Sequence, residues 1–317
     1  MRKGLQIALS AIAFALLAYP AAAQSAATSY PSQIVRIVVP FSAGSLTDLL
    51  ARTLSDKLGK LWNESVIVEN HPGIPGTALA AKAPADGYTL MVTSNGHTII
   101  KAINPNVPFD PVDDFVGVTK LASMPMIMIA PPKADHDSLH KLIELIRAKP
   151  GGMSYASAGL ASTAYIAGEL FKKTEKLDIV HVPYKGTPDA QTSIIRGDTD
   201  FFFSPAALSD ELIHVGKVKA LAVTGTTRVQ SLPDVPTFKE AGVPEFEYDA
   251  WFGLMAPANT PRDVVEKISK DVAAVMAAPE VRDWLAKQGT TVVTSSPAQF
   301  TETLRDDTRT FSAMLKK

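Results

Sequence analysis

The chain has 317 residues, of which 46% are hydrophobic and 20% charged, a balance typical of a soluble globular protein. At roughly 150 residues per domain, this length predicts about two domains. Its 31 Lys and Arg residues and 32 Asp and Glu residues give a formal net charge of -1, and they form no basic stripe of the kind that nucleic acids require. The composition argues against a disordered chain, a multi-span membrane protein and a nucleic-acid-binding protein.

The first 23 residues have the composition of a secretory signal peptide. Arg2 and Lys3 form a positive n-region, residues 5–19 are mostly apolar, and three alanines ending at Ala23 offer a cleavage site. A retained single-pass anchor is the alternative, but the apolar run is shorter than the ~20 residues that span a bilayer. We expect cleavage near Ala23 and a mature chain in the periplasm.

The sequence contains no cysteine. An exported protein without cysteine has no disulfide framework, no thiolate nucleophile and no thiolate metal site. A chain of about 300 residues buries enough of its surface to be stable without such cross-links.

The N-terminal part of the mature chain alternates between strand and helix patterns. Residues 34–40 are rich in β-branched side chains and predict a strand, and the loop 41–44 leads into a helix over 45–59. Ser45 and Asp48 predict a capping-box-like start to this helix, because the hydroxyl accepts a backbone N–H and the carboxylate lies at the positive helix end. A strand over 65–69, a helix over 77–83 and a strand over 89–93 follow.

The same alternation continues to the C-terminus. Strands are predicted over 126–130, 154–156, 179–182, 199–203, 221–224 and 251–256. Helices are predicted over 138–148, 163–173, 188–196, 261–276, 279–287 and 297–315. Strands that alternate with helices predict parallel sheets covered by helices on both faces.

Most catalytic and metal-binding motifs are missing from the sequence. It contains no nucleophile elbow, Walker loop, dinucleotide-binding glycine motif or zinc-protease motif. His136 and His140 have the i,i+4 spacing of a metal pair, but a solvated helix end is the simpler interpretation. The carboxylate pairs at 113–114 and 198–200 fit turns and caps better than acid–base chemistry. We therefore expect no metal and no cofactor.

Three loops rich in small residues, 41–45, 93–97 and 157–163, each follow a predicted strand. Ligands of parallel sheets bind beyond the carboxyl ends of the strands. Each loop offers backbone N–H groups and hydroxyls at the positive end of a helix, which suits a carboxylate or a phosphate. Helix capping alone explains any one loop equally well, but three of them favour an anion-binding protein.

An exported hydrolase with a serine nucleophile at Ser157 or Ser162 is the alternative from another functional class. Such an enzyme needs a base within hydrogen-bond reach, and the sequence supplies no nucleophile elbow. A receptor for another class of transporter with the same two-lobe fold is a third alternative.

Six ordered motifs cover most of the mature chain. They are IVRIVVPFSAGSLTDLLAR at 34–52, VENHPGIPGTALAAKAPADGYTL at 68–90, YASAGLASTAYIAGELF at 155–171, HVPYKGTPDA at 181–190, LPDVPTFKEAG at 232–242 and WFGLMAPANTP at 251–261. In these motifs the chain resembles the extracytoplasmic solute receptors of tripartite tricarboxylate transporters, the Bug or TctC family. The resemblance implies an α/β, two-lobed periplasmic-binding-protein fold (type II-like), in which each lobe is a mainly parallel sheet flanked by helices and two crossing strands join the lobes. It also implies a ligand cleft between the lobes and no catalysis.

The resemblance further implies which residues hold the ligand. In the first lobe they are Phe41, Ser42, Ala43, Gly44 and Ser45 with Asp48 behind them, and Ser94, Asn95, Gly96 and His97. In the second lobe they are Ser157, Gly159, Ser162, Thr163, Tyr184, Lys185, Gly186 and Ser204. Family ligands are typically small carboxylates bound by backbone amides and hydroxyls of these loops.

The chain departs from the family pattern at three places. Ser45 stands where a second glycine is usual, Ala164 and Tyr165 stand where a histidine is common, and Ser204 stands where an aspartate is often found. The ammonium group of an amino acid needs a carboxylate partner, so the loss of that aspartate argues against an amino acid as ligand.

The expected protein is therefore a receptor and not an enzyme. We expect residues 24–124 plus 252–317 to form the first lobe and residues 125–251 the second. A monomer is expected to bind a small organic acid, which is a dicarboxylate, a tricarboxylate or an aromatic acid, and to deliver it to membrane permease subunits.

Overall fold

The structure, a computed structural model, describes residues 30–160, 162–287 and 289–315, so the predicted signal peptide lies outside the described residues. The strands are β1 (Val35–Val39), β2 (Val66–Asn70), β3 (Thr89–Ser94), β4 (Phe115–Ala130), β5 (Ser154–Ser157), β6 (Val180–Pro183), β7 (Phe201–Pro205), β8 (Lys219–Val223), β9 (Asp249–Pro257) and β10 (Thr291–Val292). The helices are α1 (Leu46–Trp62), α2 (Ile74–Ala81), α3 (Ile100–Ile103), α4 (Leu139–Ala148), α5 (Thr163–Glu175), α6 (Thr187–Arg196), α7 (Ala206–His214), α8 (Arg262–Ala277), α9 (Pro279–Lys287) and α10 (Pro297–Leu315), with a 3-10 helix at Asn95–Ile99. None of the described helices combines the length and the apolar character needed to cross a membrane.

Two groups of parallel strands form the two ends of the sheet. In the first lobe β1 lies between β2 and β3, and in the second lobe β5 lies between β6 and β7. Val35, Ile37, Val38 and Val39 of β1 are fully buried, as expected of a parallel strand that is covered on both faces. The predicted α/β class with a mainly parallel group in each lobe is confirmed.

The centre of the sheet is antiparallel, which the alternating sequence pattern does not predict. β9 pairs with β3 and with residues 115–125 of β4, and β10 also pairs with β4. β7 and β8 pair with residues 126–130 of β4. The sheet is therefore mixed, and its main strand order is β2-β1-β3-β9-β4-β7-β5-β6.

β4 begins at Phe115, well before the strand predicted at 126–130. Polar residues in its first half, among them Thr119 and Lys120, interrupt the run of hydrophobic residues from which a strand is predicted. Thr119 is fully buried, and its hydroxyl lies 2.8 Å from the carbonyl oxygens of Lys120 and Ser295. A buried hydroxyl that has hydrogen-bond partners does not interrupt a strand.

β4 changes its neighbours at Pro125. Pro125 is paired with Asp249 of β9, whereas Met126 is paired with Pro205 of β7. Proline has no N–H to donate to a neighbouring strand, so the change of partners falls where a donor is missing. The N–H of Met126 donates to Thr224 Oγ1 at 2.9 Å.

Three helices differ from the sequence predictions, and one of them, the short α3, has no predicted counterpart. α2 begins at Ile74 and not at residue 77, because Gly73 has a φ of 78° and Pro75 fits the first helical turn. α7 has no counterpart among the predicted helices, and it begins directly after Pro205 at the end of β7.

α10 packs on β9 through Phe300, whose side chain is fully buried. The Phe300 ring lies edge-on to Trp251, with 5.1 Å between the ring centroids. A β-carbon at Gly253 would overlap the Phe300 ring, so β9 needs a glycine at this position. Trp251 Nε1 donates to Asp307 Oδ2 at 2.6 Å, which ties the same strand to the next turns of α10.

We expect Gly253→Ala to lower the free energy of unfolding by about 1–3 kcal/mol, the usual cost of overpacking a core. Urea unfolding measures this change. The matched control is the same substitution in a Phe300→Leu background, where the smaller side chain leaves room and the cost should shrink. An equal cost in both backgrounds would show that Phe300 is not the reason for the glycine.

Candidate ligand-binding cleft

A cleft of about 500 Å³ is lined by residues from both lobes. The first lobe contributes the segments that follow β1, β2 and β3, and the second lobe contributes the segments that follow β5 and β6. All five strands are members of the parallel groups, and their carboxyl ends therefore face one cleft. This is the position at which parallel sheets bind ligands, and the volume is in the usual range for a small-molecule site.

A larger and more open depression of about 910 Å³ lies on the second lobe. Its lining includes Ser138, His140 and Glu240, and all of its lining residues belong to the second lobe. The smaller cleft, in contrast, is lined by loops at the carboxyl ends of strands from both lobes. The smaller cleft is therefore the candidate site.

Six of the residues predicted from the sequence line the cleft. They are Phe41, Ser42, Gly96, His97, Ser162 and Lys185. The remaining predicted residues lie in or next to the same loops, except Ser204, which lies in β7, and their contact with a ligand stays a prediction; these are Ala43, Gly44, Ser45, Asp48, Ser94, Asn95, Ser157, Gly159, Thr163, Tyr184, Gly186 and Ser204.

The sequence prediction missed a set of mostly apolar residues that also line the cleft. They are Pro40, Pro72, Gly73, Ile74, Thr77, Thr93, Ile100, Ile103, Asn104, Ala158 and Leu160, of which Thr93, Ala158 and Leu160 lie in loops that the sequence indicates. Leu160 is 61% exposed, although large aliphatic side chains are usually buried. Ile100 and Ile103 are one helical turn apart, directly after the predicted loop 93–97, and this spacing is the signal that could have identified them.

The loop between β1 and α1 is held by Asp48. Ser45 is the N-cap of α1, and its Oγ accepts the N–H of Asp48 at 3.2 Å, which confirms the predicted cap. The buried Asp48 carboxylate accepts hydrogen bonds from Gly44 N, Arg52 Nε and Asn70 Nδ2, each at 2.9 Å. Burial raises the pKa of Asp48, but the hydrogen bonds from Arg52, Gly44 and Asn70 outweigh burial and leave this pKa below its ordinary value. Asp48 is therefore an ionised group that fixes the loop from behind.

His97 lies almost fully buried in the lining of the cleft. Its Nε2 is 2.7 Å from the carbonyl oxygen of Pro111, and Nε2 must carry the hydrogen because a carbonyl only accepts. Its ring packs against Phe109 and Phe115, with centroid distances of 6.5 and 5.0 Å. Burial lowers the pKa of His97 to about 4, against smaller opposing effects of the Pro111 hydrogen bond and of Asp110. His97 is therefore neutral at physiological pH.

The second-lobe loop is organised by two serines. Ser162 is the N-cap of α5, and its Oγ accepts the N–H of Tyr165 at 3.2 Å. Ser157 Oγ lies 2.7 Å from His181 Nε2 and accepts the N–H of Gly159 at 3.1 Å. Gly159 has a φ of 103°, a conformation that favours glycine. These contacts fix the turn that carries Ala158 and Leu160 into the cleft.

The Ser157–His181 contact has the distance of a nucleophile and a base, yet it lacks the other parts of a serine hydrolase. Ser157 is fully buried, so no substrate reaches its hydroxyl. Within the described residues, no carboxylate hydrogen bonds to the second ring nitrogen of His181 to orient the ring. The Ser162 hydroxyl is used as a helix cap. The geometry gives no support to the hydrolase alternative.

Lys185 is the one lysine, arginine, aspartate or glutamate of the described lining. It is exposed, and no carboxylate among the described residues lies within ion-pair distance of it. The i,i+4 spacing of His136 and His140 does not bring two free imidazoles together, because His136 is buried whereas His140 is exposed and pairs with Glu144 at 3.2 Å. No group of three or more metal-ligating side chains occurs in the part of the chain that the structure describes. The cleft thus has a weakly positive, mostly neutral lining.

Comparison with known proteins gives consistent matches along the chain. A family model described as the tripartite tricarboxylate transporter family receptor matches residues 50–317. Protein BugT of Bordetella pertussis is 31% identical over 303 residues, which are 93% of this chain and 92% of BugT. The solved structure of R. palustris Rpa4515 with adipate has a TM-score of 0.78 and 29% identity, and the match covers 90% of this chain and 97% of that one. The structure of MatC from Rhodopseudomonas palustris with bound malate has a TM-score of 0.78 and 29% identity, and covers 90% and 100%.

We expect Asp48→Ala to destabilise the chain more than Ser45→Ala, whose lost cap costs about 0.5–2 kcal/mol. Removal of the carboxylate leaves Asn70 and the N–H of Gly44 without their partner, and a hydrogen bond to a charged group is worth about 1.5–3 kcal/mol, whereas Arg52, whose side chain is 52% exposed, is hydrated. Thermal or urea unfolding measures both effects. Asp56→Ala is the matched control, because Asp56 is an exposed acid of the same helix that pairs with Lys60. Equal costs for Asp48→Ala and Asp56→Ala would contradict the loop-anchoring role.

A second prediction concerns pH. Below its ordinary pKa of 6.5, the unfolded chain protonates His97, whereas the folded chain keeps it neutral down to about pH 4. Stability contributed by neutral His97 is therefore complete above pH 6.5 and is lost as the pH falls toward 4, by about 3 kcal/mol in total. In His97→Gln the unfolding free energy should fall less steeply over this window. His140→Gln, at an exposed histidine, should keep the wild-type slope, and an unchanged slope in His97→Gln would refute the assignment.

Proposed function

The chain belongs to the tripartite tricarboxylate transporter receptor family, and from this membership we propose that it is a periplasmic solute-binding protein for a small organic acid. The resemblance found in the sequence is thereby confirmed. In the proposed function the two lobes close on the acid, and the closed receptor presents it to the membrane permease subunits of a tripartite transporter. The family consists of receptors, so we assign binding and no catalysis to the cleft.

The observation that carries this proposal is the meeting of five strand ends at one cleft. Loops from both lobes bring backbone N–H groups, the hydroxyls of Ser42 and Ser162, and Lys185 to the same space. No aspartate or glutamate is among the described lining residues, so nothing there repels a carboxylate. Rpa4515 and MatC, with similar folds, were solved with adipate and malate, and this supports a carboxylate as the ligand here.

The proposed lobes are residues 24–124 plus 252–317 and residues 125–251. β4 supports the first boundary, because its partners change at Pro125. β9 pairs with β3 and with the first part of β4, which supports a return of the chain to the first lobe close to the proposed boundary at residue 252. Closure would bend the chain at these two passages while the parallel groups keep their structure.

The periplasmic location rests on the N-terminal sequence and on the family. The basic, apolar and small-residue sections of residues 1–23 have the order of a signal peptide. One similar structure, 29% identical to this chain, is that of the periplasmic binding protein BugD. Export would place the receptor beside its permease.

A panel of monocarboxylates, dicarboxylates, tricarboxylates and aromatic acids tests the proposed function by thermal shift and calorimetry. An acid at 100 times its dissociation constant should stabilise the fold by about 2.7 kcal/mol. Ser162→Ala should weaken binding by about 10- to 100-fold, since a hydrogen bond to a charged group is worth about 1.5–3 kcal/mol.

Ser138→Ala is the matched control for this variant. Ser138 is the N-cap of α4 and accepts the N–H of Lys141 at 3.3 Å, so both substitutions remove a helix cap, but Ser138 lies outside the cleft. Both variants should lose similar stability, and only Ser162→Ala should lose affinity. The absence of binding by every acid, or turnover of simple esters by the wild-type chain, would overturn the proposed function.

A further inference from the structure

Tyr248 lies in the passage from the second lobe to the first, directly before β9. Its side chain is almost fully buried, and its hydroxyl oxygen accepts a hydrogen bond from Asn95 Nδ2 at 2.6 Å. Asn95 is the residue after β3, in the first lobe, and it is also buried. Tyr248 therefore joins the connection between the lobes to a segment of the first lobe.

The bond to Tyr248 holds a part of the cleft lining from behind. Asn95 begins the 3-10 helix Asn95–Ile99, and the next two residues, Gly96 and His97, line the cleft. Among the described residues, the Asn95 side chain has no other hydrogen bond, because its Oδ1 is buried without a partner. Leaving a buried amide without any partner is costly. The placement of this helix therefore depends on Tyr248.

The backbone of Tyr248 is bonded to the second lobe. Its N–H donates to the carbonyl oxygen of Thr224 at 3.2 Å, and Thr224 directly follows β8. Thr224 and Met126 share two hydrogen bonds of 2.9 Å, one through the Thr224 hydroxyl and one through the Thr224 N–H. Met126 is the first residue of β4 after the change of partners at Pro125. Thr224 thus ties the two passages between the lobes together, and Tyr248 is attached to this tie.

The Tyr248 ring is held by the C-terminal helix. It packs against the buried Phe311 of α10, with 6.4 Å between the ring centroids. Two residues further on, the carbonyl oxygen of Ala313 accepts a hydrogen bond from Lys173 Nζ of α5 at 3.0 Å, so α10 ends in contact with the second lobe. A ring that is packed in this way cannot turn freely. A movement of the passage therefore displaces the hydroxyl of Tyr248.

We infer that Tyr248 is a positioning residue, which couples the connection between the lobes to the part of the cleft that carries Gly96 and His97. Rotation of the lobes bends the chain at the two passages and so moves Tyr248. Because the hydroxyl is bonded to Asn95, this movement is transmitted to the 3-10 helix. Opening of the cleft and loosening of its lining are then coupled events. The inference rests on the proposed function for the role of the cleft, but not on the identity of the acid.

Tyr248→Phe tests the contact, because it removes the hydroxyl and keeps the ring. Amide hydrogen exchange of the full chain without ligand should become at least about threefold faster over residues 95–99, as expected for the loss of a buried hydrogen bond. Tyr30→Phe is the matched control, since Tyr30 is also buried and its hydroxyl donates to the carbonyl oxygen of Gly87 at 2.7 Å, outside the cleft. It should lower the free energy of unfolding by a similar amount and leave the exchange over 95–99 unchanged.

The coupling is tested from the other end, at Thr224. Thr224→Val keeps the shape of the side chain but removes the acceptor of the Met126 N–H, so it loosens the tie between the passages and leaves the Asn95 contact in place. With Tyr248 present, this change should also make exchange over 95–99 at least about threefold faster. Added to Tyr248→Phe, it should have less than about half of that effect, because the connection is already broken.

Adipate and malate are the probes for binding, and calorimetry should show about 3- to 10-fold weaker binding by Tyr248→Phe and no change in Tyr30→Phe. The inference is wrong, and the proposed function stands, if a bound acid has equal affinity for Tyr248→Phe and the wild-type chain. It is also wrong if exchange over 95–99 is unchanged in Tyr248→Phe, or if Thr224→Val acts equally in both backgrounds. If exchange responds as expected and no acid of the panel binds, the proposed function fails, whereas the coupling through Tyr248 is supported.

Discussion

The shared strand β4 is the constraint on which the arrangement of the cleft depends. Its first part pairs with β9 and β10 in the first lobe, and its last five residues pair with β7 and β8 in the second. Met126 to Ala130 are fully buried, so the strands of the second lobe are attached to a segment that cannot shift without losing core contacts. The carboxyl ends of both parallel groups face each other because one strand fixes both groups.

The sequence predicts most of the parallel strands and helices because each has its own period of hydrophobic residues. The prediction fails where contacts with residues distant in the chain, and not a local hydrophobic period, determine the structure. In β4, Thr119 is polar and yet buried, since Ser295 and the backbone satisfy its hydroxyl. In β9, Gly253 is required by the Phe300 ring and not by a turn. Such partners are distant in the chain, and no local pattern contains them.

Polar residues of the cleft are more predictable than its apolar residues, for a physical reason. Small and hydroxyl-bearing residues after a strand stand out in a sequence, as Ser42, Gly96 and Ser162 do. Ile100 and Ile103 look like ordinary core residues, because an apolar side chain gives the same signal in a core as in a binding site. Only the fold shows that these two half-buried side chains line the cleft.

Whether a charged side chain near the cleft can act on a ligand depends on whether it already has a partner of opposite charge within the chain. Asp48 and Arg52 lie directly behind a loop of the cleft, yet the pair is internally satisfied and presents no net charge to a ligand. His97 adds a ring that burial keeps neutral. Lys185 on the second lobe therefore lies against a nearly neutral background, and in the proposed function its position matters more to an anionic ligand than the total charge of the chain. A chain with a formal charge of -1 can in this way offer an anion a favourable site.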